Sequence, residues 1–261
     1  MNILDKIVAR KREEVEQAKA SVSVKQLESA TYFDRKPYLF EDFLLSETRS
    51  GIIAEFKRKS PSKGIINGSV SVAEVTSAYA SAGASALSVL TDTDFFGGSF
   101  KDLAEARTAN EIPILRKDFI IDEYQVIESK AMGADIILLI AAILTPDEIE
   151  NFAELAKSLG LNVLLEVHNM EELQRSITPD LDAIGVNNRN LADFSVNIET
   201  SFELVDQIPD EFLKISESAI SNPDTINELA DAGFDGFLIG EHFMKTEDPG
   251  AAMREFVSKL K

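Results

Sequence analysis

The chain has 261 residues, with 26 Lys+Arg against 45 Asp+Glu, two His and no Cys, for a formal net charge of −19. Ordinary apolar content (44%) and 27% charge permit a sizeable core and exclude a disordered acidic tail, while −19 without a long basic run excludes general nucleic-acid binding. Zero Cys removes disulfides, thiolate nucleophiles and thiolate metal ligands together, as suits a reducing compartment.

The first segment, MNILDKIVARKREEVEQAK, alternates charged and apolar residues at helical spacing and lacks the apolar core of a signal peptide. No window reaches the length of a membrane-spanning helix. These features predict a soluble, cytoplasmic protein that does not engage membranes. Residues 1–50 read as one or two amphipathic helices plus the apolar run FEDFLL, forming an N-terminal helical extension that caps one end of the fold.

A quasi-repeat follows. AGASALSVL from Ala82, MGADIILLI from Met132, LGLNVLLEV from Leu159 and AGFDGFLIG from Ala232 each join a glycine to an apolar run of strand length. Gly83, Gly133, Gly160 and Gly233 are 50, 27 and 73 residues apart. Those spacings are near multiples of roughly 25, the size of a strand–helix unit. IIAEF near Ile52, IPILRKDF near Ile112, DAIGVNN near Asp182 and FLKISES near Phe212 supply the missing strands. Between them, SVAEVTSAYASA reads as a helix with Ser71 as N-cap and Glu74 completing a capping box. TPDEIENFAELAKS and SNPDTINELADA place Pro146 and Pro223 in first helical turns. Eight units predict an α/β fold, a (β/α)₈ TIM barrel spanning 1–261 as one domain. An open doubly wound sheet is the alternative.

A parallel barrel builds its site at the C-terminal ends of its strands. Period-2 alternation puts Ile53, Glu55 and Lys57 on one face, and Leu115, Lys117 and Phe119 on another, with Arg116 and Asp118 toward the helices. Leu164, Glu166 and His168 share a third. Two lysines and two carboxylates at one mouth make an acid–base constellation. Lys57 is expected to lower the proton affinity of Lys117, and poor solvation to raise that of Glu166. Residues 216–221 and 239–242 occupy the phosphate-binding positions after strands seven and eight. His168 and His242 lack metal-ligand spacing, so neither a metal nor another cofactor is expected.

The segment Ile53-Ala54-Glu55-Phe56-Lys57-Arg58-Lys59-Ser60-Pro61-Ser62-Lys63-Gly64 resembles the first-strand signature of the indole-3-glycerol-phosphate synthase family. The resemblance continues through Leu87–Thr91, Phe95–Ser99, Leu115–Phe119, Leu165–His168, Ile184–Leu191, Ser216–Ser218 and Leu238–Gly240. It implies a carboxy-lyase of tryptophan biosynthesis that converts 1-(2-carboxyphenylamino)-1-deoxyribulose 5-phosphate to indole-3-glycerol phosphate, CO₂ and water. By that resemblance Lys117 is the general acid and Glu166 the general base. Lys57 contacts the substrate carboxylate, and Glu55 and Asn187 orient substrate and lysines. Ser60, Phe96, Phe119, Arg189, Glu217 and Ser218 bind substrate, with Phe96 an aromatic wall. Ala219, Gly240 and Glu241 border the phosphate.

Two positions depart from the family pattern: Ala219 where Gly is usual, and Glu241 where Ser is common. The first is tolerable at negative φ; the second requires the side chain to turn outward, leaving its N–H to the phosphate. Alternatives are another phosphate-sugar barrel of the phosphoribosylanthranilate isomerase or tryptophan synthase α type, or a phosphate-ligand-binding barrel without catalysis. The expected partner is a phosphorylated small molecule and the expected state a monomer or weak dimer. Residues 51–63 carry four cations against Glu55, so a local positive patch, extended by Lys117 and Arg189, is expected to meet the anionic substrate.

Overall fold

The computed structural model describes residues 3–190 and 194–260. Eight strands close into a parallel barrel: β1 Ile52–Phe56, β2 Ala86–Leu90, β3 Ile114–Lys117, β4 Ile136–Ile140, β5 Asn162–Val167, β6 Ala183–Asn187, β7 Leu213–Glu217 and β8 Gly236–Ile239. Each strand pairs with its sequence neighbours, and β1 closes on β8 through Ile52↔Phe237 and Ile53↔Leu238. The closed order excludes the open doubly wound sheet.

Helices between the strands have the caps their sequences specify. Gly83, Gly133, Gly160 and Gly233 all adopt positive φ, between 73° and 109°, where a helix ends and the chain turns into the next strand. Thr145 and Glu148 form a reciprocal capping box at the start of Pro146–Ser158, with Pro146 in the first turn. At Ser71 only half of the expected box forms: its side chain accepts from Glu74 N, with no return bond from Glu74.

Because strand side chains alternate, the barrel has two cores. Ile52, Ala54, Leu87, Val89, Val163 and Leu165 face outward and pack against the helices. Ile53, Leu115, Leu164 and Ile215, from alternate strands, fill the interior as one layer. Two residues further along the same strands the inward positions are Glu55, Lys117, Glu166 and Glu217. An apolar layer is thus replaced by a charged one at the mouth.

The extension contacts both ends of the barrel rather than capping one. Helix α1, Ile3–Ser21, runs along the mouth side, where Arg10 meets Asp94 at 2.7 Å and Lys19 meets Asp122 at 2.6 Å. A short helix α2, Val24–Glu28, and then α3, Phe40–Leu44, follow. Phe40 and Leu44 belong to the interior cluster with Ile53 and Ile215, and Phe40 N donates to Asn162 Oδ1 at 3.1 Å at the start of β5. This segment plugs the bottom, so the apolar FEDFLL run is buried by the barrel it closes.

One element went unforeseen. After β1, Lys59–Ser60 pairs antiparallel with Gly64–Ile65 to form a small hairpin at the mouth. Among the described residues no helix is long and apolar enough to cross a membrane.

Candidate active site

The charged layer opens into a cavity of about 830 Å³. All of Glu55, Lys57, Ser60, Phe96, Lys117, Phe119, Glu166, Asn187, Arg189, Glu217 and Ser218 line it. An adjoining cavity of about 710 Å³ is bordered by Ser218–Ser221 and Gly240–Glu241. The residues singled out in the sequence therefore converge on one mouth, with the phosphate-site positions on its β7–β8 side. Leu191, which ended one segment of the family resemblance, lies outside the described residues.

Lys117 is the centre of the layer. Its Nζ donates to Glu166 Oε2 and to Glu217 Oε2, each at 2.8 Å. Glu166 and Glu217 are almost fully buried, with side-chain exposures of 3% and 2%. At β1, Lys57 Nζ donates to Glu55 Oε1 at 2.5 Å.

These pairings reverse both expected pKa directions. Burial alone would lower Lys117, but the coulombic pull of Glu166, Glu217 and Glu55 outweighs it and holds Lys117 well above the usual lysine range. Lys57 is not the repelling neighbour expected from its place at the end of β1: it is paired to Glu55, and carboxylates surround Lys117. Burial would likewise raise Glu166, but Lys117 and His168 outweigh it and keep Glu166 below the usual carboxylate range. Glu217 goes the other way: desolvation, with Glu166 and Glu55 nearby, pushes it up to about 7 despite Lys117. Of the two carboxylates bonded to Lys117, Glu166 is held toward its charged form and Glu217 toward its protonated one.

His168, at the end of β5, continues this network. Nδ1 lies 3.0 Å from Glu172 Oε2, and Nε2 is 3.4 Å from Glu166 Oε1. Burial favours the neutral ring, yet bonding and charge from the two glutamates overcome it and raise the imidazole to about 10. His168 is therefore a cation at neutral pH, supporting Glu166 as an anion. The sequence placed it on the Glu166 face but did not reveal Glu172, one helical turn further on, as its second partner.

Two glycines make room for the carboxylates. A Cβ at Gly185, in β6, would overlap Glu217 Oε1, and one at Gly240 would overlap Glu55 Oε1. Gly240 was expected at the phosphate; Gly185 was not singled out, although a glycine inside an apolar strand is itself a signal of close approach.

Both departures are corrected by the backbone and by the charges. Ala219 has φ of +64°, not a negative value, and Ser218 before it has +66°. Two successive non-glycine residues in the left-handed region cost about 1–2 kcal/mol each. Ser218 is held there by its hydroxyl, which donates to Asn187 Oδ1 at 2.9 Å. Nor does Glu241 turn outward. The residue borders both cavities, and its carboxylate is 3.6 Å from Arg189 Nη2 and 3.7 Å from Lys63 Nζ.

The expected positive patch is also corrected. Lys57, Lys117 and Arg189 share the main cavity with Glu55, Asp118, Glu166, Glu217 and Glu241, three cations against five carboxyl groups. The same cavity carries an aromatic wall: Phe96 and Phe119 have ring centroids 5.9 Å apart at 38°. Among the described residues no group of three or more His, Asp or Glu is arranged to hold a metal.

Fold and site together define a (β/α)₈-barrel enzyme with paired lysines and glutamates in its uppermost layer, an aromatic wall on one side and a second cavity on its β7–β8 side. The family model described as indole-3-glycerol phosphate synthase matches residues 4–256. Relatives named indole-3-glycerol phosphate synthase include one from Bacteroides thetaiotaomicron, 48% identical over 259 residues and 99% of both chains. Another, from Laribacter hongkongensis, is 44% identical over 97% of both chains. Among solved structures, the N-acetylmannosamine-6-phosphate 2-epimerase from Clostridium perfringens superposes with a TM-score of 0.60 at 16% identity. It covers 83% of this chain and 96% of its own, and shows the shared fold alone.

The chain belongs to the indole-3-glycerol phosphate synthase family. It is accordingly a carboxy-lyase of tryptophan biosynthesis.

Proposed function

We propose that the mouth closes the indole ring of 1-(2-carboxyphenylamino)-1-deoxyribulose 5-phosphate, with Lys117 as the acid. The observation that carries this reading is the Lys117 ammonium suspended between Glu166 and Glu217 at 2.8 Å each. The carboxyl-bearing ring carbon attacks the ketone carbon, and the carbonyl oxygen takes up the electron pair. A charged lysine facing that oxygen stabilises the developing alkoxide and transfers its proton as the oxygen becomes the stronger base. The high proton affinity of resting Lys117 keeps it charged until then. Exchange of one carboxylate partner for the ketone lowers that affinity at the moment of transfer.

Loss of CO₂ returns the bonding pair to the ring and restores aromaticity. Dehydration then needs one acid and one base: the new hydroxyl leaves as water with a proton from a lysine, and Glu166 removes the proton from the adjacent CH₂ carbon. Lys57 receives the substrate carboxylate and supplies protons in the second half. Glu55 and Asn187 hold these groups in place. Phe96 and Phe119 flank the anthranilate ring. Ser60, Arg189 and Ser218 line the path between ring and phosphate, and the phosphate rests against the backbone of Ala219, Gly240 and Glu241. The biosynthetic role and the lack of Cys suit a cytoplasmic enzyme.

The test is to incubate the purified protein with this substrate and follow indole fluorescence. Wild type gives signal; Lys117→Ala loses turnover by about 10³-fold or more while still binding substrate. Absence of signal in wild type overturns the reading, and near-normal turnover in Lys117→Ala overturns the role of that lysine.

A further inference from the structure

Lysines on a surface helix normally carry their ammonium out to water. Lys11, on α1, does the opposite: it is 4% exposed. Its Nζ is 3.0 Å from Asp92 Oδ2, 2.9 Å from Asp118 Oδ1 and 2.7 Å from Glu14. Asp92 follows β2 and Asp118 follows β3, and both are buried, at 1% and 3% exposure.

Each aspartate has a second task. Asp92 Oδ1 accepts from the backbone N–H groups of Phe95 and Phe96, at 2.8 and 3.2 Å. Asp118 Oδ1 accepts from Phe119 N at 2.8 Å, whereas its Oδ2 is committed to Thr91 and Arg116. Lys11 therefore touches the carboxylate that sets the backbone of Phe96 and the one that sets the backbone of Phe119. Those are the two rings of the aromatic wall, and Asp118 also directly follows Lys117. Without a cation between them, two buried carboxylates would repel and draw their loops apart.

We propose that Lys11 is a positioning residue of the active site: from the N-terminal helix it fixes the separation of Phe96 and Phe119, and hence the slot for the substrate's aromatic ring. This rests on the ring-closure reading given above. The helix thereby contributes to recognition without any atom in the cavity. Ring and phosphate are held on opposite sides of the mouth, so a loss confined to the ring side is separable from a general loss of structure.

The experiment uses the full chain and compares substrate KM, kcat and the inhibition constant of inorganic phosphate. Lys11→Met is expected to raise KM about tenfold with kcat changed about threefold or less, a displacement of under 1 Å at the slot. The phosphate constant stays at the wild-type value, and Lys11→Arg restores most of the KM. In a Phe96→Ala background, Lys11→Met adds about twofold or less, since both changes act on one wall. Should Lys11→Met fail to fold, Lys11→Met/Asp92→Asn removes one buried anion with the cation while keeping an amide oxygen for the Phe95 and Phe96 N–H groups. A smaller rise in KM, about three- to fivefold, is expected there: the repulsion is relieved and Asp118 keeps Thr91 and Arg116, but the bridge from Lys11 to both loops is still missing. Unchanged KM, parallel weakening of substrate and phosphate, or full additivity with Phe96→Ala overturns the proposal. A wild-type enzyme without indole fluorescence instead overturns the reading on which it rests.

Discussion

Replacing Gly185 by alanine moves one carboxylate of the site and little else. The new Cβ overlaps Glu217 Oε1 and stands 3.3 Å from Leu164 Cδ1, while Gly185 has no positive φ to be strained. Glu217 has to retreat by about 1 Å to regain contact distance. Its other oxygen then loses the 2.8 Å bond to Lys117. Overpacking of this kind costs about 1–3 kcal/mol of stability, within what a folded domain tolerates. Misplacement of a reacting group by 1 Å costs about 10²-fold in rate. Gly185→Ala should therefore fold, melt a few degrees lower, and lose about 10²-fold in kcat with KM altered far less. Indole fluorescence under saturating substrate measures the first quantity and thermal denaturation the second. Wild-type kcat in the folded variant would show that Glu217 does not set the Lys117 geometry.

The charge network predicts a pH dependence. His168 is raised to about 10 in the folded state, above its unfolded value of about 6.5. Its contribution to stability is complete below the lower value and disappears as pH climbs through the higher one. The melting-temperature gap between wild type and His168→Gln should thus narrow between pH 7 and 10; a constant or widening gap contradicts the assignment. The same variant leaves Glu166 less supported as an anion, so the acid limb of its pH–rate profile should move to higher pH. Ala219→Gly removes a left-handed alanine, worth about 1–2 kcal/mol, but adds about 0.5–1 kcal/mol of unfolded-state freedom, so stability should rise only slightly. Its phosphate inhibition constant should fall about twofold as the Cβ leaves the recess, and a rise would refute the close-approach argument. Glu241→Ser frees Arg189 and Lys63 from ion pairs that are partly exposed and therefore weak. Substrate KM should drop about two- to fivefold, the scale of a surface pair, and an increase would mean that Glu241 assists binding.

Four of the eight strands were legible because each joins a glycine-terminated helix to an apolar run, and the other four because apolar runs fall where the spacing of about 25 residues requires them. The mouth residues were legible for a related reason: a charge that interrupts an apolar alternation, as Glu166 does in NVLLEV, must face a partner or solvent. What local pattern could not supply was the identity of that partner. Lys117 and Glu217 are 100 residues apart, and without their contact the sign of the lysine's shift was assigned from the wrong neighbour. Lys11 does carry a local signal, since it occupies the stripe of Ile7 and Val15 on α1, where an apolar residue is expected. Its aspartates, from loops after two different strands, become visible only when the barrel closes. The hairpin at Lys59–Ser60 and Gly64–Ile65 lies in a charged loop without apolar alternation, so no period-2 pattern announced it. The positive φ of Ala219 is likewise a demand of the turn after β7 that its own side chain does not favour.

The net charge of −19 suggests an acidic shell around a basic site, and the structure replaces that picture with another. An unpaired cluster of lysines and arginines in a barrel mouth would attract a phosphorylated carboxylate strongly, but burial would then drive the lysines toward their neutral form before substrate arrived. Here each lysine of the layer is paired in advance, Lys57 with Glu55 and Lys117 with Glu166 and Glu217. The carboxylates keep the acids charged in a desolvated pocket, at the cost of repelling an anionic substrate. On the reading proposed above, substrate binding is an exchange of partners: the substrate's carboxylate and ketone oxygen take places that protein carboxylates held. At Lys117 the exchange puts a neutral ketone oxygen where a carboxylate stood, which lowers that lysine's hold on its proton when it must move. Glu217, pushed up to about 7 by desolvation and its glutamate neighbours, is the member of the layer readiest to take up a proton, and a proton taken up there reduces the negative charge the layer carries while the cavity fills.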